Sequence, residues 1–236
     1  MPRPPELSPA ATSIKGSVYS SVLHRLASYH GEVYPLNVGD TWLEPADGCR
    51  MEDLTVAAHP GMHRYAPPQG LPPLVDAVVE RLRARTGVPL ERPNVFVAGG
   101  ATSGLACVVG AIVAPGDEVL LLAPHWPLIE GHVRMAGGVP VDVPFFGVAE
   151  SPESAAAAVE AALSPRAVAL YVNTPSNPTG RVVPRAWLEA LVDLARRRGL
   201  WLVFDEVYED YVWRGEHVPG IALAPERSFA VHSFSK

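Results

Sequence analysis

The chain has 236 residues, 48% hydrophobic and 19% charged, with a net charge of −6. This is the composition of a globular core rather than a disordered chain, and its acidic balance lacks the basic footprint of a nucleic-acid binder. Two cysteines, Cys49 and Cys107, form no CxxC pair, which argues against a disulfide framework or a structural zinc site.

In chain order, Val18, Val22 and Leu26 recur at four-residue spacing and predict a short helix over Ser17–Tyr29. Val33–Val38 reads as a strand, and 39–70 as loop. Leu74, Val75, Val78, Val79 and Leu82 form one helical face that Gly87 ends. Val95–Ala98 reads as a strand, Gly99-Gly100 as a turn, and Ser103–Val113 as a helix in which Cys107 is a small core residue. Strand Glu118–Ala123, helix Trp126–Ala136 and strand Val139–Val143 follow. Ser151 is read as an N-cap with Pro152 at the first helical position, before helix Glu153–Leu163. Then come strand Ala167–Asn173, a helix opened by Pro184 and closed by Gly199, and strands Trp201–Val207 and Ser228–Phe234. The helix's basic end, Arg196–Arg198, suits a last turn.

Strands alternating with helices predict an α/β fold, a mostly parallel sheet between two helical layers. Runs such as VLLLA and WLVF suit strands buried on both faces. The N-terminus has no apolar secretory core, and no stretch reaches the roughly 18 apolar residues of a membrane span. A cytoplasmic protein is expected. Eight histidines show no HExxH or other tight cluster, which argues against a metal site.

In such folds ligands bind beyond the carboxyl ends of the strands. There stand GGATSG (99–104), an anion cradle or a plain turn; PHWP (124–127), with Trp126 as a stacking ring or a core residue; NTPSNPTG (173–180), with Asn177 as an amide donor; DEVY (205–208); and SFSK (233–236). Each alone has an ordinary structural explanation. Together they supply what pyridoxal 5'-phosphate (PLP) requires: a phosphate cradle, a stacking ring, an amide and a phenol for its oxygen, a carboxylate for its ring nitrogen, and an amine for its aldehyde.

With HRYAPPQG (63–70), these segments resemble the class I/II aminotransferases, the fold-type I PLP enzymes, in the family's order. The resemblance implies that Lys236 links to the cofactor and later shuttles the Cα proton, and that Asp205 pairs with the pyridine nitrogen. It implies that Asn177 and Tyr208 bond the phenolic oxygen, that Trp126 stacks on the ring, and that Gly100, Ala101, Thr102 and Ser233 hold the phosphate. Tyr65 would reach the phosphate of a neighbouring subunit, which implies a homodimer. Gly39 would lie near the substrate carboxylate with Trp126 and Asn177, although the family usually has proline where Thr41 stands. The implied reaction moves an amino group between an amino acid and a 2-oxo acid. A carbon–sulfur lyase or a synthase on the same fold, a non-catalytic regulator, and an inactive fragment are the alternatives. Residues 1–48 would be an arm and part of a small domain, and 49–236 the PLP-binding large domain, incomplete at its C-terminus. The family continues past the lysine, so the chain alone is expected to be poorly stable and weakly active or inactive.

Overall fold

The computed structural model describes residues 6–14, 25–34 and 43–236. Most of the helix expected over 17–29 and of the strand expected over 33–38, and Gly39 itself, lie outside the described residues. Contacts divide the chain into two units, one of residues 1–33 and 99–234, the other of 34–98 and 235–236.

The first unit is built on a five-stranded parallel sheet. Its strands are β1 (Glu118–Ala123), β2 (Val139–Pro144), β3 (Ala167–Asn173), β4 (Trp201–Asp205) and β5 (Ser228–Val231), in the order β2-β1-β3-β4-β5. Because successive side chains of a strand point to opposite faces, each apolar run feeds two cores. Leu120, Leu122, Leu170, Val172, Leu202 and Phe204 face one; Val119, Leu121, Ala169, Tyr171 and Val203 face the other.

Counting α1 as Pro9–Ser13 and α2 as Pro72–Thr86, the helices of the two layers are α3 (Ala101–Ile112), α4 (Leu128–Met135), α5 (Pro152–Ala161) and α6 (Arg185–Arg198). The second core is covered by Leu105 and Val109 of α3 and Ile129 and Val133 of α4, the first by Ala155 and Val159 of α5 and Leu188, Leu191 and Val192 of α6. Together these make the three-layer α/β architecture expected. Among the described residues no helix is long and apolar enough to cross a membrane.

Local chemistry sets the helix ends. The Ser151 hydroxyl accepts the Ser154 N–H at 3.2 Å, capping α5 as expected. α6 ends at Gly199, whose φ of 73° is left-handed and favours glycine. In its last turn Arg196 donates to Glu226 at 3.0 Å, and Arg198 pairs with Glu160.

Several expectations are corrected. Val95–Ala98 forms no strand: Val97 N–H donates to Gln69 C=O, and Val95 packs beside Val75 and Val79 of α2 in the second unit. Cys107 is exposed, because α3 buries Leu105 and Val109, and a residue midway between them points away. β4 ends at Asp205 rather than Val207, since the chain turns with Glu209 N–H bonded to Glu206 C=O. β5 stops at Val231, and α4 begins at Leu128, after Pro127.

Candidate active site

The strands are parallel, so Ala123, Pro144, Asn173, Asp205 and Val231 end on one edge of the sheet. Asn173 lies opposite Asp205 in the ladder, and Asp205 opposite Val231.

Asp205 is buried, 4% exposed. The Tyr171 hydroxyl donates to its Oδ2 at 2.5 Å, and Val207 N–H lies 3.4 Å from Oδ1. Burial pushes the carboxyl above the usual carboxylate range, while the Tyr171 and Val207 donors and His232 pull it back and neighbouring Glu206 raises it. Burial, and then the Asp205 charge, push the Tyr171 phenol well above its ordinary value, so it stays a neutral donor.

Asn173, also buried, ties two predicted site residues together. Its Nδ2 donates to Asp205 C=O at 2.9 Å, and its Oδ1 accepts Asn177 N–H at 2.6 Å. The loop that carries Asn177 is closed by backbone bonds between Ser176 and Arg181 and between Gly180 and Ser176, and Thr174 Oγ1 accepts Val183 N–H at 3.0 Å. Asn177 is thus held half-buried at the end of β3.

Gly100, with φ 84°, is the N-cap of α3 and makes no side-chain capping bond. A Cβ there would meet nothing within 4 Å, so an open approach leads to the first-turn N–H groups of Ala101 and Thr102. α3 packs against β4 and β5, in the same unit as Asp205. Trp126 follows β1, half-buried, its ring 5.9 Å from that of His132. His125 holds this turn, with Nε2 at 2.9 Å from Asp142 and Nδ1 at 3.1 Å from Trp126 C=O. Tyr208 lies half-buried in the turn after β4, and Ser233 just past β5.

The first unit therefore carries Gly100, Ala101, Thr102, Trp126, Asn177, Asp205, Tyr208 and Ser233. Lys236 and Tyr65, both exposed, belong to the second. Sequence reasoning missed Tyr171 and Asn173 as members of the site. A tyrosine in a strand buried on both faces was the available signal, since its hydroxyl needs a partner.

A three-layer α/β unit with a buried acid and an amide loop at the carboxyl ends of parallel strands, and a helix start without a side-chain cap in the same unit, defines the class of fold. The profile of aminotransferase class I and II matches residues 32–236, and the chain belongs to that family. It is 40% identical over 179 residues to the aspartate/prephenate aminotransferase of Thermus thermophilus, covering 75% of this chain and 46% of that protein. It is 35% identical over 181 residues to an arginine–pyruvate transaminase of Pseudomonas aeruginosa, covering 75% and 45%. A structure of a single mutant of Thermus thermophilus aspartate aminotransferase superposes with a TM-score of 0.87 at 33% identity, over 98% of this chain and 61% of that one. The chain spans about half the length of the curated relatives it matches.

Proposed function

We propose that this chain carries the cofactor-binding part of a PLP-dependent aminotransferase that acts on an amino acid and a 2-oxo acid. The observation that carries the reading is Asp205, a buried carboxylate at a strand end with a 2.5 Å donor on one oxygen. A buried acid whose ionised form is disfavoured by desolvation suits a cationic ring nitrogen better than water.

The residues present fit the cofactor. Gly100 leaves the helix start open for a phosphate, with Ala101, Thr102 and Ser233 as the other donors. Asn177 and Tyr208 are the donors for the phenolic oxygen, Trp126 is the flat surface for the ring, and Lys236 is the amine. When bound, PLP supplies an electron sink for the carbanion left by loss of the substrate's Cα proton. Asp205 holds the proton on the ring nitrogen, and Tyr171 helps keep Asp205 ionised. Asn173 fixes the spacing between Asp205 and Asn177, and Lys236 Nζ takes and returns the Cα proton. We further propose a homodimer in which Tyr65 serves the neighbouring subunit, Gly39 as a contact of the substrate carboxylate, a cytoplasmic location, and the division into an arm with part of a small domain (1–48) and a large domain (49–236).

The test is to add PLP to the protein and record its absorbance and its reduction by borohydride. A new visible band and a covalent cofactor on Lys236, both lost in Lys236→Ala, are expected. Free-PLP absorbance unchanged by the protein would count against the reading.

A further inference from the structure

We propose that the cavity lined by the segment after β2, the start of α6 and the segment after β4 binds a small aromatic anion, a flat ring carrying a carboxylate, at a site distinct from the cofactor site. The cavity has a volume of about 480 Å³, within the roughly 300–1,000 Å³ of small-molecule sites. All its walls belong to the first unit. Asp205, Trp126, Asn177 and the start of α3 are not among them.

The walls are aromatic. Phe145, just past β2, is fully buried and makes edge-to-face contacts with Phe146 at 5.2 Å and with Trp187 of α6 at 5.8 Å. Phe146 and Trp187 are thereby anchored on the first core, so this part of the cavity is preformed. Tyr211 and Trp213 complete the aromatic lining, with ring centroids 6.4 Å apart. Tyr211 N–H donates to Tyr208 C=O at 2.9 Å, which ties this segment to the turn after β4. Trp213 is nevertheless 88% exposed and Tyr211 46%. Exposed rings beside an aromatic cavity form a surface for stacking on a planar ligand.

Charge selects an anion. Arg181 and Arg214 line the same cavity, and no carboxylate does. Among the described residues neither guanidinium makes a hydrogen bond or an ion pair, whereas Arg166, Arg185, Arg196, Arg198 and Arg227 of the same unit each pair with a carboxylate. Arg181 C=O accepts Ser176 N–H at 2.9 Å, so the backbone that carries one of the two cations is fixed. A guanidinium presents a planar fork of donors that matches a carboxylate. A neutral ring would leave both cations without a counter-charge, and a cationic one would meet like charge. Motif spacing misses the site because residues 145–146, 180–187 and 211–214 meet only through the fold.

The experiment is a titration of the protein with 2-naphthoate, without PLP, followed by calorimetry and by quenching of tryptophan fluorescence. Saturable binding of one equivalent per chain is expected. The uncharged 2-naphthamide should bind the wild-type protein at least about fivefold more weakly, the scale of a partly exposed ion pair. Arg181→Gln and Arg214→Gln should each weaken 2-naphthoate binding by about fivefold, and Trp213→Ala by about tenfold. Arg134→Gln, in α4 and paired with Glu130, should leave it within about twofold. Arg181, Arg214 and Trp213 are exposed, so their replacement leaves the core intact, which circular dichroism checks. No saturable binding, equal binding of the amide, or binding indifferent to the three cavity replacements would overturn the proposal. So would a dimer in sedimentation that Trp213→Ala dissolves, because the surface would then belong to a second copy of the chain. The titration contains no cofactor, so failure of this site and failure of the PLP reading are seen separately.

Discussion

Replacing Tyr171 by phenylalanine removes one oxygen from a packed position and leaves Asp205 without its 2.5 Å donor. The ring still fills the core, so the fold should persist. The carboxylate would face burial with only the distant Val207 N–H and the surrounding charges. A hydrogen bond to a charged group contributes about 1.5–3 kcal/mol, so PLP affinity is expected to fall by at least about tenfold, read by fluorescence titration. An unchanged affinity would show that Tyr171 only packs. Asn173→Ala tests the neighbouring clamp. It strips a donor from Asp205 C=O and an acceptor from Asn177 N–H, both at a buried strand end. Urea melts are expected to show a loss of about 1–3 kcal/mol, with faster amide exchange at Asn177. At this scale the sequence was partly legible. Asp205 and Asn177 stood out because an acid and an amide follow apolar strands. Tyr171 and Asn173 did not, because their partners are 34 and 32 residues away across a ladder that local pattern does not reveal.

Elements were more legible than contacts. The limits of β1 and β3 follow from the sequence because both are central strands whose apolar runs, Val119–Ala123 and Ala167–Val172, are closed by one polar end residue each and bounded by turns. Val95–Ala98 failed for the converse reason: four apolar residues satisfy a strand pattern whether or not a neighbour offers a ladder, and Val97 bonds Gln69 instead. In α3 nearly every residue is apolar or small, so periodicity could not tell the buried Leu105–Val109 stripe from the exposed face that carries Cys107. One packing constraint between elements can be tested directly. A Cβ on Gly220, in the short 3-10 turn Gly220–Ala222, would lie 2.3 Å from the Phe204 ring of β4. That ring is 1% exposed and locked in the core, so it cannot swing away. Gly220→Ala is therefore expected to destabilise by about 1–3 kcal/mol. Ser151→Ala, which removes only the α5 cap, should cost about 1 kcal/mol. Thermal melts of the two variants should rank Gly220→Ala at or below Ser151→Ala in stability.

At the scale of the whole molecule, the sheet is pinned at its amino end as well as functionalised at its carboxyl end. Glu118, at the start of β1, is buried, accepts the Ser164 hydroxyl at 2.5 Å and pairs with Arg166, both just before β3. The Ser164 hydrogen bond and, against some opposition from burial, the Arg166 guanidinium hold its carboxyl below its ordinary value. A carboxyl whose pKa is depressed by folding stabilises the native state above its unfolded pKa, about 4.3 for glutamate, and that contribution is lost as pH falls through the folded value. Glu118→Gln is therefore expected to melt a few degrees below the wild-type protein at pH 7, a gap that narrows as the pH is taken below about 4. A gap independent of pH would mean that Glu118 acts through shape and neutral hydrogen bonds alone. A gap that widens in acid would reverse the sign of the linkage and remove the ion pair from the account of how β1 and β3 are joined.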